Sequence, residues 1–175
     1  MESITPKYKH GWYGRLMFGL CAKWTTFLSK HRWLYYLLAC TWGIVMTAFG
    51  VVATVALGVA KLFSKKIRFS KFDWIYSISV GPDYWGGFET GLMYVRDQKS
   101  CDAIDCHEFG HTFQNCLLGP FMPLLISIPS AIRWWGRYIR TKKGKPNKDY
   151  DAVWFEDSAS QCGQYAHRML ANKEN

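Results

Sequence analysis

The sequence predicts an α+β protein: a mainly helical domain with a short β-hairpin that supplies an edge strand, preceded by one transmembrane helix. Three observations predict this class: a long apolar segment without charge, a following segment of alternating apolar and polar residues, and two later segments with helical periodicity. The chain has 175 residues, of which 49% are hydrophobic, and a formal net charge of +9. This composition excludes a disordered or low-complexity protein.

The apolar segment runs from Trp33 to Ala60 without any Asp, Glu, Lys, Arg or His. About 20 apolar residues in a helix are enough to cross the hydrocarbon core of a bilayer. A buried helix of a soluble protein is the alternative, but its apolar run is normally shorter. A cleavable signal peptide fits poorly, because Lys61 stands where small residues would be needed. We therefore expect an uncleaved membrane anchor over residues 33–63.

Basic residues flank the anchor on both sides. Residues 1–32 carry six Lys or Arg against the single acid Glu2, and residues 61–71 carry five against none. Such blocks suit lipid headgroups, so we expect a lipid bilayer as partner and no nucleic acid. Within the basic amphipathic N-terminal segment 1–32, residues 12–28 suit a helix in the membrane interface or a mobile tail. The later basic cluster 133–148 favours the cytoplasmic side for the C-terminal domain.

Small residues recur every four positions in the anchor, at Gly50, Thr54 and Gly58. This spacing places them on one side of a helix, where a second helix can approach closely. The line therefore suggests self-association, although small residues are common in membrane helices in general.

Two strands are expected after the anchor. Residues 72–80 alternate apolar and polar side chains, and residues 88–96 form a second run after several Gly and Pro. A hairpin of these two strands is the simplest arrangement.

Two helices follow, over residues 102–117 and 149–170. The uncharged run 116–132 between them contains three prolines and is too broken for a regular membrane span. It suits either a re-entrant or interfacial element or the core beneath the site. Residues 70–175 are therefore expected to form one domain.

The first of these helices contains the sequence His107-Glu108-Phe109-Gly110-His111, an HExxH motif. Residues four apart lie on the same side of a helix, so His107 and His111 present two imidazoles to one point. Glu108 lies beside them, where its carboxylate can reach a water molecule on the metal. The motif therefore predicts a site for one Zn²⁺, although two ordinary helix histidines remain the alternative.

A catalytic zinc site usually has three protein ligands. Glu156 is the favoured third ligand, because its helical neighbours are all small and let its helix approach the HExxH helix closely. Those neighbours are Ala152, Ala159, Ser160 and Gly163. Asp151, Asp157 and His167 remain alternatives.

These residues, together with the sequence Trp154-Phe-Glu156-Asp-Ser-Ala159-Ser160, resemble the gluzincin metallopeptidases. In that family a glutamate on a later helix, often within ExxAD, completes the HExxH site. The run from Trp85 to the Ile-Pro-Ser at 128–130 is also similar to small bacterial membrane proteins of this type. The resemblance implies a minimal zincin-like domain in which His107, His111 and Glu156 bind zinc and Glu108 is the general base.

The resemblance also implies how peptide hydrolysis would proceed. Glu108 accepts a proton from water activated by zinc and returns it to the leaving amine. By the same resemblance, residues 91–95 are the strand that pairs with an extended substrate. Tyr150, Tyr165 and His167 are open candidates for the donor that stabilises the oxyanion.

One position departs from the family pattern. Ser160 stands where ExxAD has aspartate, the residue that orients a ligand histidine through its other ring nitrogen. The support of that histidine is therefore weaker here, or it comes from elsewhere, for example from Asp157 or a backbone carbonyl.

Six cysteines are scattered without a CxxC pair, so a disulfide framework is not expected. Cys101 and Cys106 with the two motif histidines have poor spacing for a structural zinc site, since Cys106 and His107 diverge on a helix. The leading hypothesis is a membrane-anchored zinc metallopeptidase that acts on peptides or proteins near the bilayer. The runner-up is a non-catalytic membrane protein with a structural or assembly metal site, and a nucleic-acid binder comes third.

Overall fold

The computed structural model describes residues 3–81, 85–99 and 102–174, with side chains as far as Asn172. Within these ranges six α-helices and four β-strands confirm the predicted α+β class. Three helices come first: α1 (Trp12–Leu28), α2 (Arg32–Cys40) and α3 (Ile44–Lys61). The strands follow: β1 (Arg68–Phe72), β2 (Ile75–Val80), β3 (Gly87–Glu89) and β4 (Met93–Asp97). The last helices are α4 (Asp102–Leu118), α5 (Ile128–Lys142) and α6 (Trp154–Glu174).

The strands form one mixed sheet in the order β1-β2-β4-β3. The predicted hairpin between residues 72–80 and 88–96 is wrong, because β2 and β4 run parallel. The second region reverses direction at Gly91, whose φ of +81° favours glycine, so it forms two antiparallel strands instead of one. Strand β1, which pairs antiparallel with β2, was not expected from the sequence.

The charge-free segment forms two helices, α2 and α3, separated at Thr41–Gly43. Helix α2 enters the core, where Tyr35 is fully buried and its hydroxyl donates to Thr112 Oγ1 at 2.8 Å. Among the described helices, only α3 is by itself long and apolar enough to cross a membrane, and 17% of this span is buried. The domain limits 1–32, 33–63 and 70–175 stay predictions.

Part of the small-residue line on α3 packs within the chain. A Cβ atom at Gly50 would lie 2.1 Å from the Thr90 carbonyl oxygen, and Thr54 Oγ1 lies 2.6 Å from Met93 Sδ. Helix α3 therefore rests on the turn between β3 and β4 along this line. Open space surrounds Gly58, and self-association through the three residues stays a prediction.

Helix α4 lies between the sheet and α6, and its aromatic residues Phe109 and Phe113 are buried with Trp74 and Tyr94. The chain then turns by 115° between Asp102–Phe121 and Pro123–Lys142. The proline-containing run at this bend forms a 3₁₀ turn (Gly119–Phe121) and a π turn (Pro123–Ser127). A second 3₁₀ turn (Tyr150–Ala152) precedes α6, so the last helix begins later than predicted.

Candidate metal centre

Helices α4 and α6 pack with their backbones in close contact. A Cβ atom at Gly110 of α4 would lie 1.8 Å from the carbonyl oxygen of Ala159, which is fully buried on α6. Only glycine at position 110 permits this approach, because any side chain would collide with backbone. The small residues around Glu156 therefore do what the sequence predicts, and they bring α6 against the HExxH motif.

The close packing brings three side chains to one buried point. His107 Nε2 and His111 Nε2 lie 3.1 Å apart. Glu156 Oε2 lies 3.2 Å from the first nitrogen and 3.3 Å from the second. These three atoms form a group that can hold a metal ion.

The spacing of the three atoms fits a tetrahedral ion. Zinc–nitrogen and zinc–oxygen bonds of about 2.0–2.1 Å place neighbouring ligand atoms about 3.3 Å apart, which is close to the spacing observed. In addition, Glu156 Oε1 is buried and has no hydrogen-bond partner among the described residues. A buried carboxylate oxygen without a partner is costly, and a cation at this point would offset that cost.

Hydrogen bonds hold His111 in the orientation that a ligand needs. Its Nδ1 lies 2.7 Å from Gln114 Oε1. Gln114 Nε2 donates to the Phe155 carbonyl and to Ser158 Oγ, both at 2.8 Å, which fixes the amide so that its oxygen faces the ring. Nδ1 therefore carries the proton, and Nε2 presents a lone pair to the metal position.

His107 is held by Ser160, the residue that departs from ExxAD. Ser160 Oγ lies 2.8 Å from His107 Nδ1 and donates to Asp151 Oδ2 at 3.0 Å. Asp157, one expected substitute for the missing aspartate, binds the N-terminal segment instead, with Oδ2 2.8 Å from His10 Nε2. A serine hydroxyl, and not Asp157 or a backbone carbonyl, therefore contacts the second ring nitrogen of His107.

The alternative third ligands lie outside the metal group. Asp157 contacts His10, Asp151 contacts Ser160, and His167 Nδ1 lies 2.9 Å from Asp73 Oδ2. Glu156 is thus the carboxylate that the described structure brings to the two histidines.

The protonation of the group reflects its burial and its charges. Burial alone would raise the pKa of Glu156, but hydrogen bonds and positive charge from the two histidines outweigh it and lower that pKa well below its usual value. Burial favours neutral His111, yet contact with Glu156 raises the pKa of the imidazole. Both directions have the same cause, the close contact between the Glu156 carboxylate and the two imidazoles.

Glu108 is buried in a position where β3 passes next to its carboxylate. A Cβ atom at Gly87 would lie 2.5 Å from Glu108 Oε1, so glycine at this position makes room for the side chain. Burial, together with the negative charges of Glu156 and Glu89, raises the pKa of Glu108 to about 8.

A cleft of about 980 Å³ opens over the metal group. His107, Glu108 and His111 form its floor, strand β3 forms one wall and α5 another. Trp134 Nε1 on α5 donates to the Trp85 carbonyl at 3.1 Å, which joins α5 to the segment before β3. A cleft of this size suits a peptide or another small ligand.

Of the three candidate oxyanion donors, Tyr150 is the one that lines this cleft. Its hydroxyl lies 2.7 Å from Ser130 Oγ. Burial and the negative charges of Glu156 and Glu108 raise the pKa of Tyr150 well above its usual value, so the phenol stays protonated. Tyr165 is buried in the core, and His167 is bound to Asp73.

Glu89 is a residue of this cleft that the sequence did not indicate. Its Oε1 accepts the Gly91 N–H at 2.5 Å, while its buried Oε2 has no hydrogen-bond partner in the described parts of the chain. Burial raises the pKa of Glu89 to about 7. Its position at the end of a three-residue strand has no sequence signature, because the strand is too short to show periodicity.

The expected substrate strand is wrong. Residues 91–95 lead into β4, which pairs with β2 on one side and β3 on the other, so its hydrogen-bonding groups are already used. Strand β3 is one of the two edge strands of the described sheet, and its residues line the cleft.

The cysteines described by the structure are free thiols and lie outside the metal group. Burial raises the pKa of the Cys106 thiol to about 12, so this thiol is protonated in the metal-free protein. Cys101, the other cysteine of the hypothetical structural zinc site, lies outside the described residues.

No family model matches the chain, and no curated protein or solved structure matches it. The structure shows a mainly helical α+β protein with a buried His107, His111 and Glu156 group that can hold a metal ion. Its function is therefore inferred from the geometry of the cleft.

Proposed function

We propose that the protein is a membrane-anchored zinc metallopeptidase of the gluzincin type. His107, His111 and Glu156 hold one Zn²⁺, and Glu108 is the general base. The observation that carries the proposal is the mutual spacing of 3.1–3.3 Å among the three ligand atoms. Two of the ligand residues, His107 and His111, form the floor of a cleft that Glu108 also lines.

Glu108 has the position and the environment of a general base. When bound, zinc supplies a Lewis acid that polarises a carbonyl group and makes water acidic near neutral pH. A cation next to Glu108 also lowers the pKa of its carboxyl group, which makes the carboxylate available. Glu108 takes a proton from water as the water oxygen bonds to the carbonyl carbon, and it gives that proton to the nitrogen as the C–N bond breaks.

Tyr150 supplies the donor for the oxyanion. Its protonated phenol lines the cleft, and its ring centroid lies 6.1 Å from that of His107. A hydroxyl that can reach the carbonyl oxygen donates a hydrogen bond that strengthens as negative charge develops on that oxygen.

Strand β3 binds the substrate backbone. Its outer edge pairs with no other strand among the described residues, and residues 86–89 line the cleft beside Glu108. An extended peptide can therefore add to the sheet at this edge, with its scissile bond over the metal group.

Membrane attachment is supported by the apolar residues exposed on three helices. Helix α3 exposes several valines, including Val52 and Val55. Helix α1 exposes Trp12, Leu16 and Leu20, four residues apart, and α5 exposes an apolar face as well. Soluble monomers rarely leave so much apolar surface in water. Basic residues at the end of α3 can reach lipid headgroups.

A second function has one specific observation in its favour. Ser160 replaces the aspartate of ExxAD, so a hydroxyl and not a carboxylate contacts His107 Nδ1, the ring nitrogen that faces away from the metal position. Weak metal support suits a membrane protein that keeps a metal for structure or assembly and catalyses nothing.

The test compares wild-type protein with Glu108→Gln, both purified in detergent and loaded with zinc. We expect the variant to bind one zinc per chain, as wild type does, and to lose peptide cleavage. Asp102→Asn, an exposed acid on the same helix, is the matched control and should cleave normally. Undiminished cleavage by Glu108→Gln would overturn the proposed mechanism, whereas zinc binding without any cleavage by wild type would support the second function.

A further inference from the structure

We propose that Asp151 is a positioning residue that acts on the metal centre through Ser160. This inference rests on the proposed metal site. Ser160, which stands in the ExxAD position, then connects His107 by hydrogen bonds to a carboxylate from a different part of the chain.

The direction of each hydrogen bond follows from the orientation of His107. Its Nε2 faces Glu156 Oε2 and His111 Nε2, so as a ligand this nitrogen must present a lone pair. Nδ1 then carries the proton and donates to Ser160 Oγ at 2.8 Å. The Ser160 hydroxyl in turn donates its own proton to Asp151 Oδ2 at 3.0 Å. The hydrogen bonds therefore run from the imidazole to the hydroxyl and from the hydroxyl to the carboxylate, which is the only one of the three groups that carries negative charge.

Asp151 is held in place by contacts from α5. Arg133 Nε donates to the Tyr150 carbonyl at 2.9 Å, and a second nitrogen of Arg133 donates to the Asp149 carbonyl at 2.5 Å. Arg137 donates to the Lys148 carbonyl as well. These bonds fix the 3₁₀ turn that contains Asp151, so its carboxylate is presented to Ser160 in one orientation.

The two ligand histidines thus receive different support. His111 donates to the neutral amide of Gln114, while His107 is connected to a carboxylate. A carboxylate that accepts the ligand's second N–H, directly or through a relay, orients the ring and increases its basicity. Ser160 alone supplies orientation, and Asp151 supplies the charge.

The experiment measures zinc affinity by chelator competition in wild type, Ser160→Ala, Asp151→Ala and the double variant. Loss of such a partner weakens metal binding by about 10–100-fold. We expect each single variant to weaken zinc binding by that factor. The double variant should bind zinc no more weakly than the single variant with the lower zinc affinity, because both substitutions remove the same relay. Asp149→Ala removes an acid from the same turn that contacts Tyr8, and it should leave zinc affinity unchanged.

Thermal unfolding of the metal-free proteins shows whether each variant folds. An Asp151→Ala protein that folds and binds zinc as wild type does would overturn the proposal and leave the metallopeptidase hypothesis standing. Effects of the two single variants that add in the double variant would also overturn it, since two independent contacts would then be present. A wild-type protein that binds no zinc would overturn the inference together with the proposed function.

Discussion

Gly163 on α6 lies directly against the backbone carbonyl of Cys106 on α4: a Cβ atom at Gly163 would lie 1.7 Å from the carbonyl oxygen. No side chain fits at that distance unless the helices separate. Because α4 carries His107 and His111 and α6 carries Glu156, this contact determines whether the carboxylate reaches the histidines.

Gly163→Ala is therefore expected to push the helices apart. Overpacking of this kind lowers the free energy of unfolding by about 3 kcal/mol, and zinc binding should weaken because Glu156 moves away. Gly19→Ala is the matched control, since a Cβ at Gly19 of α1 meets nothing within 4 Å. A helical Gly→Ala change in open space should stabilise by about 0.5–1 kcal/mol. Urea unfolding and zinc titration measure both effects; a Gly163→Ala protein equal to wild type would contradict the proposed packing.

Tyr150→Phe should lower kcat for peptide cleavage about 10²–10³-fold, because one donor to the developing oxyanion is lost. KM should change little, since that hydrogen bond is strongest in the transition state. Tyr165→Phe, at a buried position away from the cleft, is the matched control. Steady-state kinetics at saturating zinc measure kcat and KM separately. A Tyr150→Phe enzyme with wild-type kcat would assign the oxyanion donor to another group.

Glu89 gives the metal-free protein a pH-dependent stability. Its pKa is raised from 4.5 to about 7 in the folded state. Between these two pH values the folded protein keeps a proton that the unfolded chain releases. The free energy of unfolding should therefore fall as the pH rises from about 5 to 7, by on the order of 1 kcal/mol per pH unit from this group.

Glu89→Gln removes this one titration and should flatten the pH dependence of unfolding. Urea unfolding of wild type and variant in the presence of a chelator gives the comparison. Glu108, whose pKa is also raised, titrates in both proteins, and its pKa should fall in Glu89→Gln because the Glu89 charge is one cause of the raised value. Parallel stability curves for the two proteins would show that Glu89 does not titrate in this window.

Val52→Asp combined with Val55→Asp should release the protein from membranes. The two side chains are 67% and 62% exposed on α3, and each charge costs about 3 kcal/mol near the centre of a membrane helix. Val52→Leu with Val55→Leu should stay in the membrane fraction. Fractionation without detergent measures the distribution. Wild-type protein in the soluble fraction would contradict the anchor.

The metal group was predictable from sequence because its signals are local. His107, Glu108 and His111 lie within five residues, and Glu156 is recognised by the small residues on its own helix face. The bounds of α1 and α4 follow in the same way from periodicity and from the Gly-Pro that ends α4.

The remaining features depend on contacts between distant residues. The division of the apolar segment occurs where Gly43 packs against Asn115, which no local pattern reveals. The parallel pairing of β2 with β4 joins residues 17 positions apart, and the sequence shows only two apolar runs. The bond of Asp157 to His10 spans 147 residues, so the role of Asp157 could not be read from its neighbours.

Zinc content and ligand type in the purified wild-type protein test the metal centre most directly. The zinc content should be one ion per chain. X-ray absorption should show nitrogen and oxygen ligands at about 2.0–2.1 Å and no sulfur at about 2.3 Å. Glu156→Ala should lose most of the bound zinc, and the His107→Ala, His111→Ala double variant should lose all of it. A protein that binds no zinc after reconstitution, that shows sulfur ligands, or that keeps its zinc in the double variant would contradict a centre formed by His107, His111 and Glu156.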